Sequence, residues 1–135
     1  MTILTTSRRP TPEIRAFARD LAFALGCDHM NRGKTGLRDL SPRDPAILFI
    51  EKQQQKIAIR LEVEGEMRGE IILSGWSVGI REKGMRRGIF TSDQSVYDLL
   101  NRYVPVTMVQ NQDRAITFDG RQRREYRCDR ECHDA

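Results

Sequence analysis

Residues able to carry covalent or redox chemistry are scarce in this chain. Its 135 residues include three cysteines, two histidines and one tryptophan. Cys27, Cys128 and Cys132 form an odd set without a secretory context, which excludes a disulfide framework and points to free thiols, with Cys27 in the core. His29 and His133 sit in no metal-protease motif, and no nucleophile elbow occurs, so no nucleophile, base and orienting residue can be read together. Cys128, Cys132, His133 and His29 do not have the spacing of a common zinc finger or ribbon, so no metal and no cofactor is expected. No apolar run nears the roughly 18 residues that cross a bilayer, and the first residues lack a signal-peptide core. The expectation is a soluble, cytoplasmic protein without membrane contact.

What is present is charge. Lys and Arg number 23 against 19 Asp and Glu, a net of +4 that arginine dominates. Arginine forks match phosphate geometry better than lysine does, and a modest excess gathered on one face would suit an anionic polymer. The length and the ordinary apolar fraction fit one globular domain over residues 1–120, followed by a charged, frayed tail over 121–135.

Ile3 and Leu4 suggest a first strand. Thr11, Pro12 and Glu13 then supply a helix cap, a proline at the first helical position and an acid in the first turn. Ile14, Phe17, Ala18, Leu21, Ala22 and Leu25 recur three or four apart as one apolar stripe, Arg15, Arg19 and Asp20 take the wet side, and Gly26 stops the helix. Residues 28–31 read as a strand, followed by a basic glycine loop and a helical turn over 37–40. Residues 46–50 are a continuous apolar strand, and Ile57, Ile59, Leu61 and Val63 alternate as on its hairpin partner. A turn over 65–69 leads into a strand at 70–73. Residues 75–88 are a long basic loop, or a strand with a loop. Thr91 or Ser92 caps a second helix bearing Val96, Leu99, Leu100 and Tyr103, and strands follow at 104–109 and 115–118. Two strand-helix-strand passages make an α/β fold, a mixed sheet with helices packed on it, the simplest architecture. "ILTTS" and "ILSGWS" hint at two related halves.

Three places can hold an anion. At the first, a strand end meets a helix tip whose N–H groups are unpaired; Thr5, Thr6 and Ser7 add hydroxyl donors and Arg8 and Arg9 add permanent charges, which suits phosphate. The bland alternative is that the hydroxyls cap a turn and the arginines are solvated. The second is "RGKTG", with Arg32 and Lys34. Its Gly-Lys-Thr matches the end of a nucleotide phosphate loop, yet the first glycine of that pattern falls on Asp28, so a backbone-binding basic loop is the better reading. The third is Arg81, Lys83, Arg86 and Arg87, interleaved with glycines and preceded by Trp76, which belongs to the core rather than to a stacking platform. The tail arginines Arg121, Arg123, Arg124, Arg127 and Arg130 alternate with acids as in a solvated end and add at most weak support.

"TTSRRPTPEIRAFARDLAFAL", followed by "NRGKTGLRDL" and "ILFIE", resembles the Brix-domain family of ribosome-biogenesis factors, particularly its short archaeal single-domain members. The resemblance covers about the first fifty residues. It implies a three-layer α/β fold like the anticodon-binding domain of class II aminoacyl-tRNA synthetases, built from two related halves. It also implies a non-catalytic role in processing or assembling ribosomal RNA. Precursor ribosomal RNA is then the expected partner, with ribosome-assembly proteins as a second class and DNA not expected. Two rivals remain: a protein-interaction module docking on an acidic assembly protein, and a phosphate-handling enzyme using Ser7, Lys34 and Thr35.

Overall fold

The computed structural model describes residues 2–6, 10–30, 46–110 and 115–130. Its elements are β1 (Thr2–Thr6), α1 (Pro12–Leu25), β2 (Asp28–Met30), β3 (Ala46–Gln53), β4 (Lys56–Val63), β5 (Glu66–Ile80), β6 (Ile89–Thr91), α2 (Gln94–Leu100), β7 (Val106–Met108), β8 (Ile116–Asp119) and β9 (Arg124–Arg130). The nine strands form one mixed sheet ordered β2-β1-β3-β4-β5-β9-β8-β6-β7.

α1 follows the chemistry of its ends. The Thr11 side chain accepts from the Ile14 N–H, Pro12 opens the first turn, and Gly26 closes the helix at φ 69°, a left-handed conformation; glycine alone adopts it without strain. The apolar stripe is buried as expected, but Asp20 is wholly buried too, where the amphipathic pattern placed it on the wet side. The reason lies about a hundred residues away. Arg121 and Arg124 enclose its carboxylate, and Tyr126 donates to it from below.

Each sheet edge is a strand-helix-strand unit. β1 pairs in parallel with β2 across α1, and β6 pairs in parallel with β7 across α2. Between the units runs β5, which pairs with β4 through Leu73 and with β9 from Leu73 onward, with a register shift between Leu73 and Gly75. It is far longer than the expected strand over 70–73, because Gly75 and Gly79 are carried within it rather than ending it.

One core cluster unites α1, α2 and alternate residues of the strands, from Leu4, Leu48, Ile59 and Ile71 to Phe118 and Tyr126. Both helices therefore lie on the same side of the curled sheet. The opposite face carries a separate small cluster, Ile47 and Phe49. The mixed sheet and the α/β class are as expected; among the described residues the helices form one layer, not two. The seam between the units is aromatic: Phe17 of α1 meets Trp76, Phe118 and Tyr126 edge-on, at 6.2, 5.4 and 5.6 Å between ring centroids. Trp76 is thus packed against the core.

The expectation of fraying over 121–135 is wrong for the described part. β9 lies in the interior of the sheet, paired with β5 on one side and β8 on the other, and Tyr126 and Cys128 are buried. Alternation of charged with apolar residues, Glu-Tyr-Arg-Cys, was the strand signal that the high charge obscured. The internal repeat also differs from the expected one. "ILTTS" is β1 and its end, whereas "ILSGWS" lies inside β5; the counterpart of β1 is β6 with its following residue, "IFTS".

Candidate nucleic-acid interface

Residues 81–88 form an extended loop between β5 and β6, and two of the four arginines and lysines chosen from sequence, Arg81 and Arg86, are fastened there. The Arg81 N–H donates to the Arg123 carbonyl at 2.7 Å, and its guanidinium donates to the carbonyls of Lys83, Gly120 and Arg124. Arg86 donates its backbone N–H to Asp119 Oδ2 at 2.8 Å and its Nε to the same oxygen at 3.4 Å, while its guanidinium lies 4.3 Å from the centre of the Phe90 ring. The Gly88 N–H donates to the Ala24 carbonyl at 2.7 Å, so the loop docks on the C-terminal end of α1. Arg87 lies over Gly26 at the same end, where the helix dipole favours a cation. Lys83 is exposed at the tip.

The β8–β9 hairpin extends this basic surface. Gln122 and Arg123 both take positive φ, 56° and 62°, as a two-residue turn of the primed type requires. Such turns favour Asn-Gly, so nothing in "GRQRR" announces one. Its arginines divide by role. Arg121 and Arg124 hold Asp20 at 2.8 Å each, whereas Arg123 is exposed. Burial alone raises the Asp20 pKa, but the hydrogen bonds from Arg124, Arg121 and Tyr126 outweigh it and hold the carboxyl below its usual value. Burial and the bond to Asp20 push the Tyr126 phenol strongly upward. The negative charges under this surface, Asp20 and Asp119, have no solvent exposure, and the arginines over them are partly exposed. The outside therefore presents cations.

A groove of about 570 Å³ runs between the loop and β9. Its wall carries Arg81, Lys83, Arg86 and Arg127 against Glu82 and Glu125, with Ile80 and Gly84 completing the lining. Glu125 is engaged with Arg127 at 3.0 Å. Arg127 and Arg123 are both exposed on this side.

The other two anion candidates stand elsewhere. Thr5 and Thr6 are buried in β1, which is paired on both sides, and are not surface donors as expected. Ser7, Arg8, Arg9, Arg32 and Lys34 lie outside the described residues. The β1–α1 mouth and the 81–88 loop flank opposite ends of α1, whose 14 residues span about 20 Å.

Burial pushes the thiol pKa of Cys27 up to about 11 and that of Cys128 up to about 12. Cys128 faces the core, not a metal, and Cys132 and His133 are outside the described residues. His29 is half-buried, with its pKa lowered by burial and by Arg19 and Arg121. Among the described residues no group of three His, Cys, Asp or Glu side chains is placed to hold a metal, and no helix is long and apolar enough to cross a membrane.

No protein-family model matches the chain. A curated protein of Methanothermobacter thermautotrophicus named "Probable Brix domain-containing ribosomal biogenesis protein" is 35% identical over 75 residues, covering 53% of this chain and 48% of that protein. The match thus spans about half the length of the relative. The crystal structure of Mil, an archaeal Imp4-like protein, superposes with a TM-score of 0.63 at 19% identity, covering 93% of this chain and 95% of that one. At that identity the likeness establishes the fold. In sequence and in fold together, the chain is similar to the Brix-domain proteins of ribosome biogenesis, the family that its first fifty residues resemble.

Proposed function

We propose that this protein is a non-catalytic ribosome-biogenesis factor of the cytoplasm that binds precursor ribosomal RNA by its backbone. The observation that carries the reading is the loop 81–88 with the 120–124 hairpin. Their carboxylate counterparts Asp20 and Asp119 are buried beneath while Lys83, Arg87 and Arg123 are exposed at the surface. Phosphate recognition needs only cations held at a surface, whereas phosphoryl chemistry needs a positioned base or metal. The kinship to class II anticodon-binding domains belongs to the same proposal: an α/β sheet that uses its loops to hold structured RNA. Thr5, Thr6, Ser7, Arg8, Arg9, Arg32 and Lys34, expected from sequence, belong to the proposal only as candidates, with Thr5 and Thr6 set aside by their burial.

Crosslinking the protein to RNA in cells and sequencing what is attached tests the reading. Enrichment of precursor ribosomal RNA is expected; recovery of no RNA, or only of unrelated transcripts, would overturn it. A second reading has one observation behind it. Val78 and Ile80, exposed to 48% and 82%, with Met85 beside them, give the basic surface an apolar margin suited to an assembly protein. Association that survives RNase treatment would favour that reading.

A further inference from the structure

The guanidinium of Arg86 is held more tightly than phosphate binding requires. Asp119, whose side chain is wholly buried, takes both the backbone N–H and the Nε of Arg86 on one oxygen, and the Phe90 ring lies 4.3 Å beneath the guanidinium carbon. The backbone bond anchors the residue, and the Nε bond at 3.4 Å together with the ring orients the guanidinium, while its side chain keeps 49% exposure. A point charge for a phosphate gains little from a fixed plane, and a lysine would serve. A planar surface of fixed orientation suits another planar group. Unpaired bases stack on arginine planes as they do on aromatic rings, and the contact tolerates any base because each has a π face.

The surroundings fit that guest. The groove beside Arg86 has room for one nucleotide, about 570 Å³. Four cations face two carboxylates along it, which favours an anion. Ile80, 82% exposed, supplies an apolar contact for a ribose or base edge. Glu125 is tied to Arg127, so its charge is offset locally.

We infer that this groove takes one unpaired nucleotide of a single-stranded RNA segment, its base stacked on the open face of Arg86, whose other face rests on Phe90, and its phosphate met by Lys83. The inference rests on the RNA-binding reading and adds a preference for single strands over duplexes, whose stacked bases cannot reach the guanidinium.

Arg86→Lys keeps the charge and removes the plane. Measured against a single-stranded oligoribonucleotide and a duplex of the same length, the variant is expected to lose about tenfold in affinity for the single strand. Its duplex affinity and salt slope should stay as in the unaltered protein. Equal losses on both RNAs, or none on either, would overturn the inference while leaving backbone binding intact. If the unaltered protein binds neither RNA, the broader reading fails first. Because Arg86→Lys also touches the Asp119 anchor, a measurement on the unaltered protein stands beside it. Photocrosslinking of a 4-thiouridine-bearing single strand should give adducts within residues 80–90, and adducts found only elsewhere would contradict the site.

Discussion

The two edges of the sheet are the same strand-helix-strand unit with different helix caps, Thr11 in one and Asp93 in the other. In the first, β1 leads through Ser7, Arg8 and Arg9 to a threonine cap on α1. In the second, β6 leads through Ser92 to an aspartate cap on α2, and Asp93 accepts from the Ser95 N–H and pairs with Arg130 at 2.7 Å. Burial raises the Asp93 pKa, but Ser95 and Arg130 outweigh it, so the carboxylate stays ionised. A helix tip satisfied by its own carboxylate has little left for a foreign anion. The second unit thus fills its own helix tip with Asp93.

The largest way to break this pairing is at the node that fastens the second half's hairpin to the first half's helix. Asp20→Ala should destabilise the fold by about 3 kcal/mol in urea unfolding, since it strands two arginines and a buried tyrosine hydroxyl, with the arginines' partial exposure moderating the loss. Gly88→Ala comes next. Gly88 has φ 92°, and an added Cβ would stand 2.6 Å from the Pro105 carbonyl oxygen, so about 2 kcal/mol is expected, with loosening of the loop from α1. Asp93→Ala should cost about 1 kcal/mol as a lost cap and should not weaken RNA binding, which separates the second mouth from the first.

A smaller effect sharpens the role of Asp20 through pH. Its folded pKa is depressed, so its stabilising contribution is complete above the unfolded value near about 4 and is lost as pH falls through the folded pKa. The stability gap between the unaltered protein and Asp20→Asn should therefore be widest near neutrality and narrow below about pH 4; a gap that widens on acidification would contradict the sign.

Local chemistry made the first unit legible. Thr11, Pro12 and Gly26 mark both ends of α1, and the apolar run at 46–50 gave β3, because these signals depend on near neighbours alone. The second unit was harder. Its strands β6 and β7 are three residues each, and the N-cap is Asp93 rather than Thr91 or Ser92; the Thr91 hydroxyl instead donates to the Ala115 carbonyl at 2.6 Å. Thr5 and Thr6 looked like surface donors because hydroxyls flank helix tips, yet two-sided strand pairing buried them. Asp20 and β9 were misread for one reason: each is a charged segment whose burial depends on the other, across about a hundred residues, and no local pattern reports a partner at that distance. The loop 81–88 was legible as basic, but not the division between Arg81 and Arg86, which are fastened, and Lys83, which is presented.

The most direct test is the salt dependence of affinity for a single-stranded precursor ribosomal RNA fragment, compared between the unaltered protein and a Lys83→Gln, Arg87→Gln, Arg123→Gln triple variant. With about six phosphates contacted, affinity should fall by roughly 10³ between about 50 and 200 mM salt, and the variant's log–log slope should be shallower by about two. Identical slopes for the two proteins, or a slope near zero in the unaltered one, would contradict the account.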